Sequence, residues 1–419
     1  MPVIRFPPEW GIDPVPKDKR ELRGIDIFVL WSSLGVGLLV LQAGMLLVPG
    51  LSLGEALTIS LLGSIVGTSL LAAVGVIGSK YGVPTMVSLR PVLGKLGSFI
   101  PTALNVIQLI GWTAFELMVM TESAVLLSGS ILGGFTRLFW LLVFTCVVTL
   151  LALGGPLAVV RQWLEKFAIW LVYASTLWIT YQVIKHPGLF AHRSSGGMSI
   201  PLALDLVIAM PISWLPLVSD YNRFARNPKE GFIGTLIGYT LANFWFYGLG
   251  AVLAVATGQF MAPASILNIY VGSLALIAIL VDETDNAFAD VYSTAISLQN
   301  PFPKIRQWKL VILAAGVGAV LAYALPLAEY EHFLLLIGAS FVPLFGVFLS
   351  EFFLIRRDNI DIEEFYEFTP KLRLDSITSW ILGFVVYLTF AYKLPSFGAT
   401  LPALGTSALT HFILAKIRR

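Results

Sequence analysis

Ser33-Leu34-Gly35-Val36-Gly37 lies inside an apolar run, Ile25–Gly50, long enough for the ~20 residues that a bilayer core demands. Two glycines at that depth each cost a helix about 1 kcal/mol relative to alanine. Irregular backbone within a membrane is tolerated only where it faces protein or a cavity. The pentapeptide therefore predicts a first span broken at Gly35 and Gly37. A matching break is predicted in the sixth apolar run, where Pro211 and Pro216 remove the donors that would bond Val207 and Ile212, around Ile212-Ser213-Trp214. With the N-terminus inside, a sixth span runs opposite to the first, as the inverted repeats of secondary transporters require.

Working outward, about twelve such runs are legible: Ile25–Gly50, Leu53–Gly78, Gly97–Ser128, Leu138–Leu153, Phe167–Ile184, Met198–Ser219, Phe232–Thr257, Ile266–Leu298, Leu310–Leu327, His332–Ile355, Ile377–Tyr392 and Thr400–Ala415. The chain is 57% hydrophobic and 12% charged, with mean hydropathy +0.83. These values lie far from those of soluble domains, so lipid is the main solvent and the fold class is an all-α polytopic membrane protein. All of the 27 Lys and Arg except Arg137, Lys185, Arg193 and Lys393 fall in segments on one side of that topology, the positive-inside asymmetry of a protein with both termini cytoplasmic. The net charge of +2 is thus an orientation signal and implies no nucleic-acid partner. A cytoplasmic membrane location follows.

Residues 1–24 read as a polar cytoplasmic segment, which excludes a cleaved signal peptide. Residues 25–355 read as a transport core with repeats at 25–184 and 198–355, and residues 356–419 as two added spans. The polar connections Lys185–Gly197 and Arg356–Asp375 are too short to fold alone, so function sits in the membrane. Cys146 stands alone in an apolar span and is expected to pack there. His186, His192, His332 and His411 lie at span ends or loops without metal-ligand spacing. HExxH, GxxxxGK and GxSxG are all absent, which argues against the common hydrolase and nucleotide chemistries.

Two constellations carry chemistry. In the third run, Trp112 and Glu116 share a helix face at i, i+4. An aromatic face binds a flat heterocycle, and a carboxylate accepts from a donor pair such as an amino group beside a protonated ring nitrogen. The alternative is a protonated Glu116 bonded to a neighbouring carbonyl. The eighth run holds Asp282, Glu283, Asp285 and Asp290 and no base, with Asp282, Asp285, Asn286, Asp290 and Ser293 on one stripe. So many carboxylates cannot all stay ionised in low dielectric, so some bind protons or a cation. Oxygen ligands suit a hard cation such as Na⁺. For Asp285 and Asp290 the competing expectation is a solvated cytoplasmic mouth or a pair with Arg223. Asp220, in Ser219-Asp220-Tyr221-Asn222-Arg223-Phe224, is expected to pair with Arg223 or to cap a short helix.

The chain resembles the nucleobase and cation symporter family, which carries cytosine, purines, allantoin and hydantoins. The resemblance rests on Pro14-Val15-Pro16 with Arg20, Gly50-Leu51-Ser52, Gly78-Ser79-Lys80-Tyr81-Gly82 with Arg90, Gly97-Ser98-Phe99-Ile100-Pro101 leading to Gly111-Trp112, then Asp220-Tyr221-Asn222-Arg223-Phe224 and Asp285-Asn286-Ala287. It runs from about Pro14 to Arg357. It implies a LeuT-type five-plus-five inverted repeat with two added helices, and a substrate held between the broken first and sixth spans and spans three and eight. Trp112 is then the stacking residue, and Glu116 stands where one member type uses a glutamine. Sodium would be held by first-span carbonyls matching Ser33 and Val36 and by eighth-span hydroxyls. Here Asp282 and Glu283 occupy the positions of those hydroxyls, and Thr284 that of a substrate-binding asparagine. Gly37 replaces a larger side chain, and Pro211 an aromatic for which Trp214 substitutes.

The resulting expectation is a symporter, not an enzyme, importing cytosine or a hydroxymethylpyrimidine-type compound with Na⁺ or H⁺ and needing no cofactor. Val291-Tyr292-Ser293-Thr294-Ala295 resembles the hydroxymethylpyrimidine subgroup. Trp112, Glu116, Gly37, Ser213, Trp214 and Thr284 would line the substrate, and Ser33, Val36, Asp282 and Glu283 the cation. A purine, allantoin or hydantoin permease is the alternative within the family. A cation channel, a membrane hydrolase and a non-transporting sensor are the rivals outside it.

Overall fold

Where the first apolar run begins, the backbone donors of a helix start need acceptors. Asp26 Oδ2 accepts from Arg23 N at 2.8 Å, and Glu230 Oε2, from a distant helix, accepts from Gly24 N at 2.6 Å. Helix α1 (Gly24–Leu34) ends at Gly35, and α2 (Leu38–Met45) restarts after Gly37, bent from α1 by 57°. Gly35 also serves close packing. A Cβ there would lie 2.8 Å from that of Ala242, on the helix that runs beside α1.

The computed structural model describes residues 10–158, 167, 169–186, 189, 194–324, 330–357, 360–367 and 370–418. The basic residues Arg5, Arg161, Lys166, Arg193 and Arg419 and the histidine His192 lie outside them. The chain continues through α3 (Leu53–Tyr81), the short α4 (Thr85–Ser88) and α5 (Arg90–Leu93), then α6 (Phe99–Ser128), α7 (Thr136–Ala158) and α8 (Ile169–Val183). The second half holds α9 (Ile200–Ser213), α10 (Val218–Asn222), α11 (Pro228–Thr257), α12 (Ala262–Leu267), α13 (Gly272–Gln299), α14 (Gln307–Ala324), α15 (Tyr330–Leu349), α16 (Leu374–Lys393) and α17 (Thr400–Arg418). The twelve predicted runs thus correspond to ten helices and two broken pairs, α1–α2 and α9–α10. Among the described residues, seven helices are long and apolar enough to cross a membrane, and the bent α1–α2 pair makes an eighth. The acids of α13 keep it outside that set although it is 28 residues long.

The second break differs from expectation in place. Helix α9 continues through Pro211 to Ser213, and the chain turns at Trp214–Leu217 with Pro216 inside the turn. Pro211 is accommodated because its ring fills a notch on α3, where a Cβ on Gly67 would lie 2.3 Å from Pro211 Cγ. Packing there offsets the missing hydrogen bond. The eighth span also starts later than predicted. Residues 262–267 form the separate α12, and the chain doubles back at Val271 and Gly272.

Helix α11 packs along α1 and α3, and α13 packs on α6, so the broken helices sit inside the bundle. Helix α7 turns Leu138, Leu142 and Leu150 outward, and Cys146 is exposed on it rather than packed. Near the start of α1 the chain closes a small knot. Leu22 N donates to Phe224 O, and Arg226 N to Leu22 O, both at 2.9 Å. The Arg20 guanidinium donates to the carbonyls of Val15, Ser79 and Lys80.

Candidate functional site

The backbone freed by the two breaks faces one enclosed space. Val36 and Gly37 line it from the first break, Ser213 and Trp214 from the second, Trp112 and Glu116 from α6, and Asn286 and Asp290 from α13. The centre of a water-sized sphere has only about 20 Å³ there, room for about one water. A ring therefore enters only when the walls part. Trp112 stands edge to face with Phe333, ring centroids 5.3 Å apart at 74°. Trp214 meets Trp31 in the same manner, at 5.9 Å and 89°. The Ser213 hydroxyl is held back on its own helix by Met210 O at 2.7 Å.

Five of the six residues expected at the substrate, Trp112, Glu116, Gly37, Ser213 and Trp214, come together on this cavity. Thr284 does not. Its hydroxyl donates to Val281 O at 2.7 Å, and its side chain faces the cleft between α13 and α7 beside Trp140 and Phe144. Helical geometry is the reason. The cavity face of α13 is set by Asn286 and Asp290, an i, i+4 pair, and Thr284 lies well round the helix from both. Asn286, which the sequence places on the acidic stripe without marking it as a wall residue, lines the cavity.

The expected cation set divides in two. The Ser33 hydroxyl donates to Asp282 Oδ1 at 2.8 Å, Asp285 faces the same hydroxyl, and Asp282 Oδ2 has no partner. Glu283 turns the other way. Both its oxygens accept from Leu38 N, at 3.1 and 2.9 Å, where α2 begins, and an anion is favoured at a helix N-terminus. A Cβ on Gly37 would lie 3.4 Å from Glu283 Oε1, so the glycine leaves this carboxylate uncovered. The Val36 carbonyl accepts from Asn286 Nδ2 at 2.8 Å. Neighbours in sequence, Asp282 and Glu283 are separated by about 100° of helix, so they serve different partners. Among the described residues no group of three or more His, Cys, Asp or Glu is arranged to hold a metal ion.

Two further expectations are corrected, those for Asp290 and His411, while Asp220 takes the second of its two expected roles. Asp290 is 4% exposed and lines the cavity; it is neither a solvated mouth residue nor paired with Arg223. Arg223 instead donates to Gly11 O at 2.7 Å and to Tyr292 Oη at 3.1 Å. Asp220 Oδ1 accepts from Thr85 N at 3.0 Å at the start of α4, so it caps a short helix. His411 lies inside α17, fully buried, with Nε2 2.7 Å from Glu351 Oε2.

A family model described as permease for cytosine/purines, uracil, thiamine, allantoin matches residues 14–409. The cytosine permease of Escherichia coli (strain K12) is 26% identical over 398 residues, covering 88% of this chain and 85% of that protein. The allantoin permease of Bacillus subtilis (strain 168) is 23% identical over 403 residues, covering 85% and 81%. Among solved structures, Mhp1, a nucleobase-cation-symport-1 family transporter in a closed conformation with bromovinylhydantoin bound, has a TM-score of 0.85 at 17% identity, covering 97% and 95%. A Na⁺-coupled sialic acid symporter in an outward-open state has 0.62 at 12% identity, covering 96% and 91%. The all-α polytopic fold with broken first and sixth spans is thus shared with these solved transporters.

Proposed function

This chain belongs to the family of permeases for cytosine/purines, uracil, thiamine and allantoin, and from that premise we propose that it imports cytosine or a related aminopyrimidine with a coupling cation, Na⁺ or H⁺. It is a multi-pass membrane transporter and not an enzyme. The observation that carries the substrate is Glu116. Its carboxyl reaches the cavity one helical turn from Trp112, it is 6% exposed, and Oε2 has no hydrogen-bond partner.

A buried acceptor of this kind costs about 1–3 kcal/mol while unmet. A ring presenting an amino group meets it with a donor while lying against the Trp112 face, and the unprotonated ring nitrogen beside that amino group is an acceptor that the carboxyl meets when it carries a proton. The purely carbonyl edge of a ring would face the carboxylate with acceptors only. Asp290 and Asn286 add polar groups on the α13 wall. Alternating access would part the broken helices from α6 and α13 on one side and then on the other. The protein would sit in the cytoplasmic membrane with both termini inside.

The test is uptake into proteoliposomes with labelled cytosine and hydroxymethylpyrimidine, against uracil, hypoxanthine, allantoin and hydantoin as competitors. Saturable uptake of an aminopyrimidine, displaced weakly by uracil and allantoin, is expected. Preference for allantoin, hydantoin or a purine without an amino group would refute the assignment.

A further inference from the structure

A second space lies beyond the central cavity, and one side chain divides the two. Its walls include Leu39 and Gln42 of α2, Val119 and Glu122 of α6, Arg137 of α7 and Pro263 of α12. The centre of a water-sized sphere has about 390 Å³ there, against about 20 Å³ in the central cavity, and small-molecule sites run to ~300–1,000 Å³. Among the described residues Leu39, 2% exposed, alone lines both spaces. On α6, Trp112, Glu116, Val119, Glu122 and Leu126 follow one another at steps of four, three, three and four residues, which keeps them on one helix face. The first two line the central cavity and the last three the outer pocket. The pocket therefore continues the cavity along α6, interrupted by a residue of the broken first span. A ring that arrives in this state fits the outer space and not the inner one.

The polar groups of the pocket are few. Gln42 is already committed, since its Nε2 donates to Phe260 O at 2.8 Å and its Oε1 accepts from Ala262 N at 3.1 Å. Those bonds tie α2 to the segment that carries α12. Glu122 and Arg137 remain. Arg137 Nε donates to Glu122 Oε1 at 2.8 Å, and Arg137 Cζ lies 5.5 Å from the centroid of the Tyr323 ring. The side chains are partly exposed, at 39% for Arg137 and 48% for Glu122. Their bond uses one of the five guanidinium donors and one carboxylate oxygen, so the pair presents donors beside an acceptor. Arg137 is also among the basic residues that depart from the positive-inside pattern, so membrane orientation does not account for its place.

Resting on the aminopyrimidine reading above, we propose that the outer pocket is a second, weaker binding site for the same ring, with Arg137 and Glu122 as the residues that select it and Leu39 as the partition it passes on the way inward. The edge of cytosine runs amino donor, ring-nitrogen acceptor, carbonyl acceptor. Arg137 donates to the two acceptors through its planar fork, and Glu122 accepts from the amino group through its other oxygen. Uracil runs carbonyl, N–H, carbonyl and sets its N–H against the guanidinium, so it fits worse. Water screens a partly exposed pair, which makes the site weak. The ring moves to the centre when α2 carries Leu39 away from α6. With both termini inside, the pocket belongs to the outer face and collects substrate there.

Equilibrium binding of labelled cytosine to the full chain in detergent, carried into the millimolar range, counts the sites. The wild type is expected to bind two molecules per chain, the second about tenfold or more weaker than the first, and uracil is expected to displace the weak one poorly. Arg137→Leu is expected to bind one, with the tight affinity within about twofold of wild type. Should that variant fail to fold, Leu126→Trp, at a position 52% exposed on the pocket wall, fills the space and is expected to remove the weak site in the same way. A wild type that binds one molecule per chain overturns the proposal. So does a weak site that survives Arg137→Leu or Leu126→Trp, or that uracil empties as readily as cytosine does. Glu116→Leu is expected to weaken the tight site and still bind two. An unchanged tight site in that variant refutes the reading of the central cavity, while the Arg137→Leu isotherm still decides the outer one. If cytosine does not bind but uracil or allantoin does, the substrate reading has failed, and a single site per chain for that solute overturns this proposal as well.

Discussion

Replacing Glu116 by leucine removes both oxygens at a similar volume and isolates what the carboxyl does. The amino group of cytosine then loses its acceptor and is left as a buried, unmet donor, at a cost of about 1–3 kcal/mol. The cost applies in full because Glu116 is 6% exposed and the cavity has room for little water. At 1.4 kcal/mol per tenfold, that is a loss of roughly one to two decades in cytosine affinity. Uracil, which carries a carbonyl where cytosine carries its amino group, strands no donor there and loses far less, so the cytosine-to-uracil preference collapses. Competition against labelled substrate under exchange conditions measures both numbers at once. A cytosine affinity within about threefold of wild type would show that the donors of the ring go elsewhere.

Three further outcomes follow from the packing. Thr284→Val leaves cytosine affinity and transport rate within about twofold, because the hydroxyl bonds its own helix and faces α7; a tenfold loss in exchange would return this residue to the substrate site. Gly44→Ala places a Cβ 2.2 Å from the Tyr247 carbonyl oxygen on α11, a backbone atom that cannot rotate away, and should destabilise by about 1–3 kcal/mol, seen as a lower melting temperature in detergent; an unchanged melting temperature refutes the close approach of α2 and α11. Glu351→Gln withdraws the charge that Arg356, Arg373 and His411 share at 2.6–2.7 Å. It leaves Arg373, with a side chain 3% exposed, with Asp375 as its ion-pair partner and the Pro91 carbonyl as a further acceptor. The expected cost is about 3–5 kcal/mol, read as loss of folded yield with unchanged transport per folded molecule; full yield and stability would show the cluster to be dispensable.

The span count was legible because lipid demands long apolar runs and leaves them visible in composition alone. The first break was legible because two glycines within three residues weaken a helix whatever surrounds it. The second was legible only approximately. Pro216 lies in the turn, but Pro211 sits inside α9 because α3 offers it the notch at Gly67. Trp112 and Glu116 reach the cavity together since an i, i+4 pair shares a face in any helix. The α13 residues could not be sorted in this way.

By itself, then, the sequence determined an all-α membrane protein with breaks in spans one and six, an aromatic and a carboxylate on span three, and an acidic span eight, all of which depend on local composition and helical period. Only the tertiary structure decided which acid meets which partner. The rotation and register of α13 against α1, α2 and α6 send Asp282 to Ser33, Glu283 to Leu38, Asp290 to the cavity and Thr284 away from it. A helix carrying acids around much of its circumference has no apolar stripe to announce its buried face, so the orientation is set by the neighbours it packs against.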